Sequence, residues 1–136
     1  MRKLFSLLLL LAACTLAGRA QTLTALPSAT THAVNLSITN TCASGVTCTF
    51  NIYRCSGTVS ACPNNGTAIW LLVNPSPLTG LTYSDTAVTQ GSTYSYVAYA
   101  LATVSGTAEQ AGPSTEVAAT VPLGPTSPGL SVSSTQ

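Results

Sequence analysis

Short runs in which apolar and polar side chains alternate one for one recur from about residue 22 to residue 121, each closed by Gly, Pro or Asn. The longest is Thr93 to Leu101, with Tyr94, Tyr96, Ala98 and Ala100 on one side and Ser95, Val97, Tyr99 and Leu101 on the other. A period of two places successive side chains on opposite faces of a strand, whereas a helix would need repeats of three and four. No sustained helical period competes with it. Chains built from many such runs fold as all-β sandwiches or barrels.

The remaining runs follow the same rule. Leu23 to Leu26 reads as an edge strand that Pro27 ends or interrupts, because proline has no N–H for a ladder. Val34, Leu36 and Ile38 alternate with Asn35, Ser37 and Thr39, and Phe50 and Ile52 repeat the pattern between Cys48 and Cys55. Pro63-Asn64-Asn65-Gly66 marks a turn within a loop. Ala68 to Val73 is an apolar run holding Trp70, the single tryptophan, and Pro75, Pro77 and Gly80 close it. Leu81 to Asp85 is a brief strand, Gln90-Gly91 a turn, Thr103 to Pro113 a loop, and Glu116 to Val121 the last strand. Seven strands in this span is the count of an immunoglobulin-like sandwich.

The ends have a different character. Arg2 and Lys3 precede an apolar run, Leu4 to Ala13, that is too short to span a bilayer, and Gly18-Arg19-Ala20 supplies small residues at the positions a signal peptidase reads. Residues 1–20 are therefore expected to be a signal peptide cut before Gln21. Leu11-Ala12-Ala13-Cys14 is a rival processing site similar to a lipobox, which would leave Cys14 lipidated and the protein on the membrane surface. Residues 21–122 are the expected folded domain, and residues 123–136, rich in Pro, Gly, Ser and Thr, a flexible tail. The destination is export: secreted, periplasmic or envelope-bound.

Four cysteines follow the leader, Cys42, Cys48, Cys55 and Cys62. An even number in a small exported domain implies two disulfides. Three pairings are possible, and neighbour pairing, Cys42–Cys48 with Cys55–Cys62, is the expected one. A zinc site built from all four thiolates is the rival, although the five- and six-residue gaps are wider than its usual spacers.

Beyond residue 20 the only basic residue is Arg54, against Asp85, Glu109 and Glu116. So few cations cannot neutralise a row of phosphates, which argues against nucleic acid, or draw the protein to anionic lipid. Catalysis has little to work with: a triad would need His32, Asp85 and a serine, and a glycosidase pair would need Glu109 with Glu116. Phosphate-cradling glycine loops and calcium loops are missing from the sequence. No catalytic residue, cofactor or metal is expected.

Several segments resemble bacterial fibronectin type III domains. His32-Ala-Val-Asn-Leu-Ser-Ile38 is similar to their second strand and Phe50-Asn-Ile-Tyr-Arg54 to their third. Leu81-Thr-Tyr-Ser-Asp85 with Val88-Thr-Gln-Gly-Ser-Thr-Tyr94-Ser-Tyr-Val97 resembles the fifth strand and its passage to the sixth, and Pro113 to Pro122 the last. The resemblance implies a seven-stranded fibronectin type III sandwich and places Tyr94 as its tyrosine corner, with the hydroxyl bonded back to the turn. Ile38 stands where that family often has tryptophan, leaving Phe50 and Trp70 to fill the core. The inter-sheet cysteines of antibody domains have no counterpart, since Ile38 and Tyr96 lie near their places, and the chain contains no Arg-Gly-Asp. Outward on the third and sixth strands, Tyr53, Val97, Tyr99 and Leu101 form a candidate apolar binding patch. The loops Ser56–Thr67 and Thr103–Pro113 are further candidates. The expected function is a non-catalytic binding module for a protein or polysaccharide, with a structural spacer as the alternative.

Overall fold

The computed structural model describes residues 21–39, 42, 46–104 and 107–124. The leader, Cys14 and residues 125–136 lie outside the described residues. Two sheets pack face to face. The first has the order β1-β2-β5, with β1 at Thr22–Ser28, β2 at Ala33–Thr39 and β5 at Thr82–Asp85. The second has the order β4-β3-β6-β7, with β3 at Cys48–Ser56, β4 at Leu71–Leu72, β6 at Thr93–Val104 and β7 at Thr107–Gln110; β8, Val117–Thr120, also pairs with β6. All pairings are antiparallel.

The alternation decides which faces meet. Val34, Leu36 and Ile38 of β2 face Phe50 and Ile52 of β3 and Tyr94, Tyr96, Ala98 and Ala100 of β6 in one buried cluster. The two largest fully buried side chains, Tyr96 and Phe50, occupy the interior while the small alanines of β6 make room for them. Ile38 and Tyr96 are both in this core.

Four expectations need correction. β1 does not end at Pro27, which stays in register opposite Val34. As an edge strand, β1 can carry a residue without an N–H at no cost to a second ladder. The apolar run Ala68–Val73 yields only the two residues of β4, and Trp70 is half-buried and outside the core. Loop Thr103–Pro113 contains β7, whose hairpin register runs from Val104↔Thr107 to Leu101↔Gln110. The described residues therefore hold eight strands, because the final strand is split in two: β7 pairs with the far end of β6 and β8 with its near end. Between them Ser114 takes over the ladder. Its N–H donates to the Ala98 carbonyl at 2.8 Å, and its Oγ accepts the Ala98 N–H at 2.9 Å. Finally, His32 does not start β2; it closes the preceding turn with a φ of 48°.

The turn before β6 is the one read from Gln90-Gly91. Ser92 N–H donates to Thr89 carbonyl at 3.2 Å, and Gly91 has a φ of 76°. That is the value required at the third position of a type II turn, which glycine adopts without strain.

Both disulfides join neighbours, Cys42–Cys48 and Cys55–Cys62. The thiolates that a zinc site would need are consumed by them. The bonds are compatible with an extracellular, oxidising location. Among the described residues no helix is long and apolar enough to cross a membrane.

Candidate functional site

Because Ile52 points into the core, Tyr53 points out. Its register partners are Val97 on β6 and Leu72 on β4. Two places further along β6, Tyr99 lies on the same outer face, and the two rings meet edge to face at 5.6 Å and 84°. This is the diagonal contact that long side chains make across antiparallel strands.

The register also explains Trp70. Leu72 stands opposite Tyr53, so a residue two positions earlier shares the outward face. Trp70 consequently joins Tyr53 and Tyr99, and together with Asn64, Val97 and Gln110 they line a cleft of about 240 Å³. The indole N–H is buried and meets no protein acceptor. An unpaired buried donor costs about 1–3 kcal/mol.

The loop that carries Asn64 is held at its root by Cys55–Cys62. Gly57, at a φ of 135°, turns the chain there, and a Cβ at that position would stand 3.1 Å from Ala61 Cβ. A single 3-10 turn, Val59–Ala61, follows. Asn64 Nδ2 then donates to the Tyr99 hydroxyl at 3.4 Å, while Asn65 Oδ1 accepts from the Thr67 N–H and hydroxyl. One wall of the cleft is thus pinned covalently and the other is the sheet itself.

The expected patch is therefore redrawn. Tyr53 and Tyr99 do come together, but Val97 is 1% exposed and forms the base of the cleft. Leu101 belongs to a separate depression with Thr47, Thr49, Ala102, Ala108, Glu109 and Gln110, because the β7 hairpin runs along that end of β6. Trp70 lies outside the expected patch, whereas Asn64 and Gln110 come from the two candidate loops, Ser56–Thr67 and Thr103–Pro113. Asn64 and Gln110 reach the cleft only through the loop path and the hairpin register.

Of the groups a triad or a glycosidase pair would need, Asp85 is committed elsewhere, while Glu116 Oε1 is buried with no protein hydrogen-bond partner. Asp85 is 2% exposed, and its Oδ2 accepts from Arg54 Nη1 at 2.8 Å and the Tyr96 hydroxyl at 3.1 Å, while Oδ1 accepts the Ala87 N–H at 3.1 Å. Burial, followed by the adjacent carboxylate, pushes the Tyr96 hydroxyl far above the ordinary tyrosine range. His32 sits in a turn beside Gly124 and Gln90. Glu109 lines the Leu101 depression, and Glu116 is half-buried on the approach to β8.

Tyr94 has the geometry of a tyrosine corner. Its ring is buried, its hydroxyl accepts the Thr89 N–H at 3.0 Å, and the Arg54 guanidinium lies 5.0 Å from its ring centre. Hydrogen bonding from Thr89 holds that hydroxyl below the ordinary tyrosine value, against the opposing effect of burial.

No family model matches the sequence, and no curated protein matches it. Among solved structures, the chain is similar to a Fn3-like protein from Clostridium thermocellum, at 23% identity over 79% of this chain and 96% of that one, with a TM-score of 0.52. At this identity the likeness bears on architecture alone: the chain has the fold of an all-β, immunoglobulin-like sandwich of Fn3-like type.

Proposed function

We propose that this chain is an exported, non-catalytic interaction module, secreted or held at the surface, that meets a protein or polysaccharide partner on the outward face of β3 and β6. The observation that carries this reading is the cleft formed by Tyr53, Tyr99 and Trp70. Aromatic side chains gathered on an outer sheet face offer large contact area at little entropic cost, and such groups are enriched where proteins bind partners. The commitment of Asp85 to Arg54 and Tyr96 supports a non-catalytic role, and the disulfides and basic, apolar start support export.

A spacer or envelope component is the second reading, favoured by Ile69, Leu71 and Leu72, which are exposed in and just before β4 and suit lateral packing. Pull-down and glycan-array binding by the purified chain distinguish the two. The module reading expects saturable binding that Tyr53→Ser with Tyr99→Ser abolishes while circular dichroism stays unchanged. Binding unaffected by that pair would overturn the assignment of the face. Inertness together with stoichiometric retention in the envelope would favour the spacer.

A further inference from the structure

Resting on the module reading, we infer that the Tyr53–Tyr99–Trp70 cleft holds one pyranose ring of a neutral polysaccharide. Its size is the first argument. At about 240 Å³ the cleft falls below the roughly 300–1,000 Å³ of pockets for drug-sized ligands. It suits a single ring-sized group. A stable protein partner would need roughly 20–30 residues on each side, against the six that line the cleft.

The lining chemistry is the second argument. A pyranose has one face of C–H groups and a rim of hydroxyls. Aromatic faces carry negative charge density and attract the weakly positive C–H face. Asn64 and Gln110 each present a carboxamide, which both donates and accepts, matching hydroxyls that do the same. Gln110 is exposed at the mouth, and Asn64 stands at Tyr99, so the amides sit beside the rings and not beneath them.

Charge is the third argument. No charged side chain lines the cleft, and the single cation of the described residues, Arg54, is held by Asp85. A uronic acid or sulfated sugar would lose hydration with no counter-charge to replace it. The electrostatics complement a neutral sugar.

Trp70 is the only tryptophan in the chain, so its fluorescence reports on this cleft directly. The full chain, as the cell delivers it, is titrated with soluble β-glucan, xylan, mannan and galactan, and with polygalacturonate as the acidic member. We expect at least one neutral polymer to shift Trp70 emission saturably, with a dissociation constant on the order of a millimolar per sugar residue. Polygalacturonate leaves the emission unchanged. Gln110→Ala, an exposed change that spares the fold, weakens binding about tenfold, as loss of one hydrogen bond would; Tyr53→Ser removes it, and Leu101→Ser leaves it intact. Silence toward all four neutral polymers, preference for polygalacturonate, or equal binding by Gln110→Ala overturns the inference. If the four are silent while a protein partner is captured and lost with Tyr53→Ser and Tyr99→Ser, the module reading survives without the sugar. If glycans and proteins both fail, the two fall together.

Discussion

Arg54 Nη1 donates to Asp85 Oδ2 at 2.8 Å, joining β3 of one sheet to the end of β5 in the other. The same nitrogen donates to the Ala87 carbonyl at 2.6 Å, and the guanidinium lies against the Tyr94 ring. One cation thus links the two sheets, the chain leaving β5 and the corner entering β6. Its partner carboxylate is almost wholly shielded from water, so the pair behaves as a buried one and not as a surface ion pair.

Removing one member of such a pair strands the other's charge, which costs about 3–5 kcal/mol when both are buried. The Arg54 side chain is 13% exposed, so the lower end applies. Arg54→Met should destabilise the protein by about 3 kcal/mol, read as a lower urea midpoint with an unchanged slope. A loss below about 1 kcal/mol would place the pair among ordinary surface salt bridges.

Asn74 substitutes for missing strand. β4 ends at Leu72, and the chain rejoins the β3 edge at Leu78, which exchanges both backbone hydrogen bonds with Phe50 at 2.9 Å. Across part of that gap the buried Asn74 carboxamide serves the β3 backbone: Oδ1 accepts the Ile52 N–H at 2.7 Å and Nδ2 donates to the Phe50 carbonyl at 3.1 Å. Nδ2 also donates to the Ser76 carbonyl at 2.8 Å, which folds the proline segment back. Asn74→Leu keeps the bulk but leaves the Ile52 N–H unpaired, since the Phe50 carbonyl still accepts from Leu78. We expect a loss of about 1–3 kcal/mol for that orphaned donor, and faster amide exchange at Ile52. Protection at Ile52 that matches the parent would contradict this role.

The two-fold period in β2, β3 and β6 was enough to read the core, because a one-residue slip would turn every side chain to the wrong face. The same period puts Tyr94 on the inner face, while its place as a tyrosine corner is what the resemblance to fibronectin type III domains implies. Trp70 was not legible in this way. Its apolar neighbours suggest burial, and only the pairing of Leu72 with Tyr53 shows that this segment lies on a sheet edge facing outward. Ala108 and Glu109 gave no strand signal, since β7 exists through pairing with Thr103 and Ala102 and not through its own pattern. Asn74, placed between apolar residues and prolines, reads as a plain loop residue, and its partners are more than twenty positions earlier in the chain.

The Cys55–Cys62 bridge closes a short loop, for which the chain-entropy model gives roughly 2 kcal/mol. Cys55→Ser with Cys62→Ser should lower stability by about that amount, measured by urea unfolding. It should also raise the mobility of Asn64, seen as loss of its contact with Tyr99 in nuclear Overhauser spectra and as altered Trp70 emission. The Cys42–Cys48 bridge pins the other end of β3, so removing it should leave the cleft signals in place. Equal effects of the two bridges on Trp70 would argue against a local clamp.

Tyr96 is expected to set the alkaline limit of the fold. Its hydroxyl donates to Asp85 at 3.1 Å in a fully buried position, and its folded pKa is raised. Above pH about 10 the unfolded chain releases this proton while the native state keeps it. The native state then holds more protons than the unfolded one, so stability falls as pH rises, approaching about 1.4 kcal/mol per pH unit. Tyr94 is shifted downward and acts oppositely: between its folded value and pH about 10 it adds stability as pH rises. Urea unfolding from pH 8 to 11, values chosen to bracket the ordinary tyrosine pKa of about 10, should show a shallow rise followed by a decline. In Tyr96→Phe the neutral stability drops, because Asp85 loses a donor, but the decline above pH about 10 largely disappears. In Tyr94→Phe the decline persists and the preceding rise is lost. A Tyr96→Phe profile parallel to the parent's would mean that another group governs alkaline unfolding.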